Sequence, residues 1–332
     1  MNIVIIGSGL TGTLAAISLA KAGSIVDLYE RLSDEELINR ERTYAITHSS
    51  RKILEKIGIW SHVVSDLVAF EYLNVIDKNI NKNVQFIVND LFPKDRKYSS
   101  VGWIAEHTKI MSTLLEVISH IDNINKIPTS VIPNTNNYDL IIAADGINSI
   151  TRQKLKTPSF KFNYDQSCIT AKVLLRGAKP SEAFEILNID GPFAVLPLGG
   201  DSFQIICSLS KKKCSYYMSL PKSSFLDYLS TILPYGIQPD TLINEPKAYP
   251  IRFLLNYSFH SGKYIYLGET SHAFHPVGGQ GLNLCWRDVD YLTNLIRSPL
   301  LRNKKMLIPL LYSMSRIFDI LSISFLTDIL VR

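Results

Sequence analysis

Residues 2–12 read Asn2-Ile3-Val4-Ile5-Ile6-Gly7-Ser8-Gly9-Leu10-Thr11-Gly12, and this stretch decides the fold. Asn2 to Ile6 is a short β-branched run ending in glycine, which predicts a buried strand. Leu10, Leu14, Ile17 and Leu19 follow with helical character, and Ile25 to Tyr29 is a second strand-like run. Together they predict a βαβ opening. Gly7 permits a tight turn, Gly9 lets backbone amides approach a pyrophosphate, and Gly12 lets the helix pack on the strand. The helix N-terminus presents unpaired N–H groups to an anion, and Glu30, closing the second strand, is placed to accept hydrogen bonds from a ribose diol. The pattern favours a dinucleotide over a plain glycine-rich turn. It does not separate NAD from FAD.

Outward from this unit, Ser49 to Ile57 and His107 to His120 have helical spacing, while Phe70 to Ile76, Val84 to Val88 and Asp139 to Ala144 read as strands. Between Phe160 and Tyr257 strand-like segments dominate: Ile169 to Leu175, Phe193 to Leu196 and Phe203 to Ser208, with one helix expected after Pro221. Tyr264 to Leu267 is another short buried strand, leading into a glycine-rich loop, a helix from Gly281 and a helical remainder. The expectation is therefore an α/β chain that leaves its first domain to build a second sheet and then returns.

Composition narrows the function. With 46% hydrophobic and 20% charged residues over 332 positions, the chain is globular, which excludes disorder, collagen and coiled coil. The net charge of +5 comes from scattered Lys and Arg, apart from Lys211-Lys212-Lys213, so nucleic acid is not the expected partner. Four cysteines without a CxxC pair read as reduced thiols and point to the cytoplasm. Met1 to Ala22 lacks the basic start of a signal peptide and is read as structure. Arg316, Asp319 and Asp328 interrupt the apolar C-terminal stretch, so no membrane span is expected, and peripheral attachment stays open.

Two further loops follow buried strands. In Tyr138 to Arg152 the strand ends in Asp145-Gly146, and Asp145 taken alone reads as a helix cap or turn former. In Gly268 to Asn283 the glycines would let backbone approach a flat ring, and the following helix would aim its positive end at it. His272 and His275 lack a carboxylate or cysteine at ligand spacing, so no metal is expected and both read as packing or hydrogen-bonding groups. Cys285 reads as a buried small hydrophobe rather than a redox thiol.

The three loops, in this order, resemble the aromatic-ring flavoprotein monooxygenases of the para-hydroxybenzoate hydroxylase type. The segments Glu41 to Arg51, Gly191 to Leu198 and His275 to Leu284 are similar to the ubiquinone-biosynthesis hydroxylases, especially the 2-octaprenyl-6-methoxyphenol hydroxylase branch. The resemblance runs from residue 2 almost to the end. It implies a Rossmann-like FAD-binding domain (1–70, 100–158 and 262–332) interleaved with a mainly antiparallel β-sheet substrate domain (71–99 and 159–261), with a helical C-terminus. It also implies FAD as cofactor and NAD(P)H as co-substrate. Carried over, Gly7, Gly9, Leu10, Thr11, Gly12, Glu30 and Arg31 would hold the ADP half, and Arg42 would lie near the flavin. Asp145 and Gly146 match the second motif of the family, Gly268 and Glu269 the motif at the ribityl chain, and Pro276, Gly279, Gly281, Leu282 and Asn283 would border the ring. Asp288 is read as structural.

The implied reaction hydroxylates a prenylated phenol with O2 through a flavin C4a-hydroperoxide in a dry pocket. Phe193, Val195 and Leu196 are expected either on the pocket floor or in strand-core packing. No residue type singles out a catalytic base among 16 tyrosines. So apolar a substrate points to a partner protein of a ubiquinone-biosynthesis complex or to peripheral contact with the inner face of the cytoplasmic membrane. The chain departs from the family pattern at several places. Glu269 stands where many relatives have Asp, Glu106-His107-Thr108 where they have an Asn-Arg pair near FAD, and Cys285 where glycine is usual. The stretch before Tyr138 is short, family members continue past Arg332, and Ile317 to Leu330 is expected to expose apolar surface. A truncated or inactive homologue serving as a structural partner, and a prenyl-chain reductase on the same fold, are the competing expectations.

Overall fold

A computed structural model describes residues 1–129, 131 and 134–331. β1 (Asn2–Ile6), α1 (Leu10–Ala20) and β2 (Ile25–Glu30) form the expected βαβ unit. The chain continues through α2 (Asp34–Ile38), β3 (Thr43–Ile46), α3 (His48–Lys56) and α4 (Trp60–Val63) into β4 (Val68–Phe70), β5 (Tyr72–Asp77) and β6 (Lys82–Ile87). β7 (Gly102–Glu106), α5 (His107–Ser119), β8 (Ile124–Pro128), β9 (Leu140–Ala143) and α6 (Ile150–Lys154) follow. The middle holds β10 (Ser159–Arg176), β11 (Glu182–Leu187), β12 (Phe193–Gly199), β13 (Ser202–Ser210), α7 (Lys211–Ser219), α8 (Lys222–Ile232), β14 (Gln238–Leu242) and β15 (Lys247–Asn256). β16 (His260–Ser261), β17 (Tyr264–Tyr266) and β18 (His272–Ala273) lead into α9 (Gln280–Arg297) and α10 (Ile308–Val331).

These strands make three sheets. The first has the order β16-β17-β9-β1-β2-β8, parallel except for the β16–β17 hairpin, and α1 packs against it with all but one of its residues buried. Parallel strands flanked by helices are buried on both faces, which is why Ile3, Val4 and Ile5 form one continuous apolar run. The second sheet is nine-stranded, ordered β18-β15-β10-β13-β12-β11-β5-β6 with β14 on β10, and antiparallel except where β11 meets β5. One of its faces packs under α7 and α8 through Ile169, Val173, Phe203 and Ile205. The third is the small antiparallel sheet β3-β7-β4.

Three expectations need correction. Phe70 to Ile76 is not one strand: the chain breaks at Glu71, whose N–H bonds to the Ser181 carbonyl, so that β4 joins the small sheet and β5 the large one. Lys211 to Ser219 is a helix the apolar pattern did not signal, because it is mostly polar; Ser210 caps it through the Lys213 N–H. Residues 305–330 are long and apolar enough to cross a membrane by length and composition, with a mean hydropathy of 1.5, despite their charges. One face of that helix is fastened to the protein by fully buried Tyr312 and Ile320 and by Arg316, which pairs with buried Asp288. The opposite face exposes Phe318 and Phe325, as expected for Ile317 to Leu330.

Candidate flavin site

Gly7 stands at φ +100° at the end of β1, and a Cβ there would lie 2.5 Å from the Ala144 carbonyl oxygen. A Cβ on Gly12 would lie 1.9 Å from the Gly7 carbonyl oxygen, so strand, turn and helix touch backbone to backbone. Gly9 is different: it is the N-cap of α1 with no atom near its missing side chain. No side chain caps α1 and no acidic residue stands in its first turn; the first backbone bond into the helix is Thr13 N–H to the Gly9 carbonyl. The preceding amides are left for an anion.

They open on a cavity of about 450 Å³, of the size used for cofactors, at the carboxyl ends of β1, β2 and β9. The expected Gly7, Gly9, Leu10, Thr11, Glu30 and Arg31 line it, and so do Arg42, Asp145, Gly146, Glu269 and Leu282. Gly12 lies beneath the turn and shapes it. Pro276, Gly279, Gly281 and Asn283 lie outside the cavity wall, on the adjoining loop and the start of α9. The Asn283 side chain is occupied by the protein itself. Its Oδ1 accepts from Thr47 N–H (3.0 Å), the Thr47 hydroxyl (3.0 Å) and the Ser50 hydroxyl (2.6 Å), while Nδ2 donates to the carbonyls of Ala45 and Gly279. It therefore ties α9 to β3 and α3, and only its backbone is free to face a ligand.

Glu30 closes the cavity edge by accepting from the N–H groups of Ser8 (2.7 Å), Arg31 (2.8 Å) and Leu32 (3.0 Å). Asp145 does what the plain reading required, accepting from Thr151 N–H at 3.0 Å, and still lines the cavity; Gly146 turns beside it at φ +77°. Arg152 is buried and donates to the carbonyls of Thr270 and Ile147, fixing the second loop to the third. Cys285 is a cavity residue in contact range of Gly268, and burial raises its thiol well above the usual range, so it stays neutral.

Residues not singled out from the sequence, Tyr29, Arg40, Tyr44, Thr129 and Asn148 among them, complete the wall together with His107, noted above as a departure from the family pattern. Burial opposes the charge on Arg42, but Tyr44 and Glu269 outweigh it and raise its pKa. Burial pushes the Tyr44 hydroxyl up to about 12. His107 lies 2.8 Å through Nε2 from the Leu37 carbonyl and 3.1 Å through Nδ1 from the Tyr44 hydroxyl. Burial lowers its pKa, so neutral His107 donates to Leu37 and accepts from Tyr44. Arg40 and Arg42 line the same cavity as His107. The resemblance had marked Arg42, whereas no motif in the sequence marks Arg40.

His272 stands 2.6 Å from Asp288, which is fully buried and also accepts from Gly268 N–H (3.1 Å) and Arg316 Nε (2.7 Å). Burial alone would raise the Asp288 carboxyl, but His272 and Arg316 hold it below the usual carboxylate range. Asp288 is structural, as expected, and no three-residue metal cluster occurs among the described residues. Phe193 and Val195 belong to the core under α7 and α8, which settles them as strand-core residues; Leu196 alone packs toward the small sheet.

A family model described as an FAD binding domain matches residues 134–307. The chain belongs to this FAD-binding family. It is 27% identical over 314 residues to the uncharacterized protein slr1300 of Synechocystis, covering 89% of this chain and 75% of the relative. It is 23% identical to the mitochondrial ubiquinone biosynthesis monooxygenase COQ6 of Dictyostelium discoideum, covering 89% and 76%. The crystal structure of Pseudomonas aeruginosa PqsL in complex with 2-aminobenzoylacetate superimposes with a TM-score of 0.81 at 17% identity, covering 99% of this chain and 95% of that one, and shows the same fold. The protein is an FAD-dependent monooxygenase of the hydroxylase type. The uncapped amides, the open glycine and the cavity fit the cofactor, and the inactive-homologue expectation is not favoured.

Proposed function

We propose that this protein hydroxylates a prenylated phenol of ubiquinone biosynthesis, using NAD(P)H and O2. The observation that carries the reading is the uncapped N-terminus of α1 opening on a cavity at the carboxyl ends of a parallel sheet, in a chain similar to COQ6. Gly9, Leu10 and Thr11 would hold the pyrophosphate, Glu30 and Arg31 the adenosine end, Arg42, Asp145, Gly146 and Glu269 the middle of the cofactor, and Leu282 the approach to the ring. The backbone of Pro276 to Gly281 would border the ring where α9 begins without a side-chain cap. Bound FAD supplies the electron transfer and oxygen chemistry. The protein contributes orientation and exclusion of water, through the apolar packing of Ala45, Leu73, Ala183, Leu196 and Leu198 between the small and large sheets.

A lipid surface as the source of so apolar a substrate is supported by α10, whose exposed Phe318, Leu321 and Phe325 lie on the chain after exposed Arg302 and Lys304. The purified, desalted protein, reconstituted with FAD, should show flavin bands near ~370 and ~450 nm and should oxidise NAD(P)H faster with a prenylated phenol present. A protein that retains no flavin would overturn the reading. Flotation with anionic vesicles, lost in Phe318→Glu/Phe325→Glu, is the expected outcome for the lipid source; equal flotation of both proteins would overturn it.

A further inference from the structure

The hydrogen bonds that join Leu37, His107 and Tyr44 have a fixed direction. The Leu37 carbonyl can only accept, so His107 Nε2, which lies 2.8 Å from it, carries the hydrogen of the ring. Nδ1 of the neutral ring is then an acceptor, and the Tyr44 hydroxyl, 3.1 Å away, donates to it. Backbone pairing keeps the two side chains together: Tyr44 faces Ala105 across β3 and β7, and the His107 N–H donates to the Arg42 carbonyl at 2.8 Å. Both side chains line the flavin cavity. The charged groups on that wall are Arg31, Arg40 and Arg42 against Glu30, Asp145 and Glu269, equal in number and opposite in sign. A cofactor whose pyrophosphate is a dianion therefore brings an excess of negative charge, and His107 is the one histidine among the described residues of the wall that can answer it.

We propose that His107 takes up a proton when FAD binds and thereby turns the Tyr44 hydroxyl from the protein toward the cofactor. The inference rests on the flavin assignment of the cavity and does not depend on which phenol is hydroxylated. In the step, a proton from solvent forms a new N–H bond at Nδ1, and the ring becomes a cation. Nδ1 now donates to the Tyr44 oxygen. The Tyr44 hydrogen rotates away from the ring without leaving its oxygen and can donate to an anionic group in the cavity. No bond to carbon changes and no electron is transferred. Before the cofactor enters, burial keeps His107 neutral, and the charges of Arg40 and Arg42 act in the same direction. Burial pushes the Tyr44 hydroxyl up to about 12, so it remains a donor throughout.

The groups that surround His107 are otherwise engaged. Burial alone would raise the carboxyl of Glu106, the preceding residue, but Lys172 and Lys109 hold it below the usual range. On α2, Asp34 pairs with Lys126, Glu36 accepts from the Ser33 N–H and Glu35 is exposed. α1 carries no charged residue, and His62 on α4 is exposed. On the cavity wall, Glu30 accepts from the Ser8 N–H, Asp145 from the Thr151 N–H, and Glu269 faces Arg42.

The test titrates FAD into the full chain freed of flavin. Calorimetry in two buffers of different ionisation heat counts protons, and flavin fluorescence gives Kd between about pH 6 and about pH 8, where free FAD has no titrating group. Wild type should take up about half a proton or more per FAD near pH ~6.5, and its Kd should fall about tenfold from pH ~8 to pH ~6, the sign required of a group whose pKa the ligand raises. His107→Asn, whose amide oxygen can stand in for Nδ1 as the acceptor for Tyr44, should take up no proton and hold Kd within about twofold across the range. Tyr44→Phe should match wild type near pH ~8 and bind about fivefold more weakly near pH ~6, because only the protonated state releases the hydroxyl. Wild-type binding without proton uptake overturns the proposal, and that measurement needs no variant. Uptake that survives in His107→Asn with a wild-type thermal midpoint overturns it as well, as does a Tyr44→Phe deficit of the same size at both ends of the range. If FAD binds at no pH, the flavin assignment itself fails, and the proposal with it.

Discussion

Gly9 and Gly12 sit three positions apart and separate shape from binding. A Cβ on Gly12 has nowhere to go, whereas one on Gly9 meets open space and needs no unusual backbone, with φ at −63°. Gly12→Ala should therefore cost about 3 kcal/mol of stability in urea melts. Gly9→Ala should leave stability within about 0.5 kcal/mol yet weaken FAD binding about tenfold in a fluorescence titration. Equal losses of stability in the two variants would contradict this assignment. His275 gives the second residue-scale expectation. Its Nδ1 accepts from Val277 N–H at 3.2 Å, and Gln166 Oε1 faces Nε2, so the ring is the neutral Nε2–H tautomer. Burial lowers its pKa to about 4. Because the unfolded chain titrates near 6.5, it takes up this proton first as pH falls. Stability from this site is thus full above about 6.5 and lost on descending toward 4, by up to about 3 kcal/mol. Thermal midpoints of wild type should drop across that window more than those of His275→Gln; identical slopes would refute the assignment.

At the scale of elements, α9 and α10 are joined through a single buried carboxylate. Asp288 on α9 receives Arg316 from α10, the Gly268 N–H and His272. Arg287 and Arg316 both also meet Asp319. Removing one partner of a buried pair leaves the other charge uncompensated. Asp288→Ala should cost about 3–5 kcal/mol in chemical denaturation and weaken flavin binding at the same time, since Gly268 belongs to the cavity loop. A variant with wild-type stability would show that α10 is held without Asp288, by its buried Tyr312 and Ile320 and by the Arg287–Asp319 pair. The same element shows the limits of periodicity: the apolar residues of α10 exceed what one packed face needs, and the surplus is exposed.

Across the whole molecule, three local sequence signals proved sufficient for the flavin half. The strand, glycine turn, helix and acid near residue 7, the Asp145-Gly146 turn and the Gly268 loop all converge on one cavity, because parallel strands deliver successive carboxyl ends to the same edge of a sheet. Amino-acid order alone determined the α/β class, the βαβ opening and the dinucleotide cradle. It could do so because glycine conformations and hydrophobic periods are properties of short segments. Tertiary structure decided the rest. Only packing between distant segments set Arg40 on the cavity wall, occupied Asn283 with β3 and α3, and put Phe193 and Val195 in the core under α7 and α8. A side chain's acidity and availability depend on what folds against it, and strands far apart in sequence carry no local mark of which face they will share.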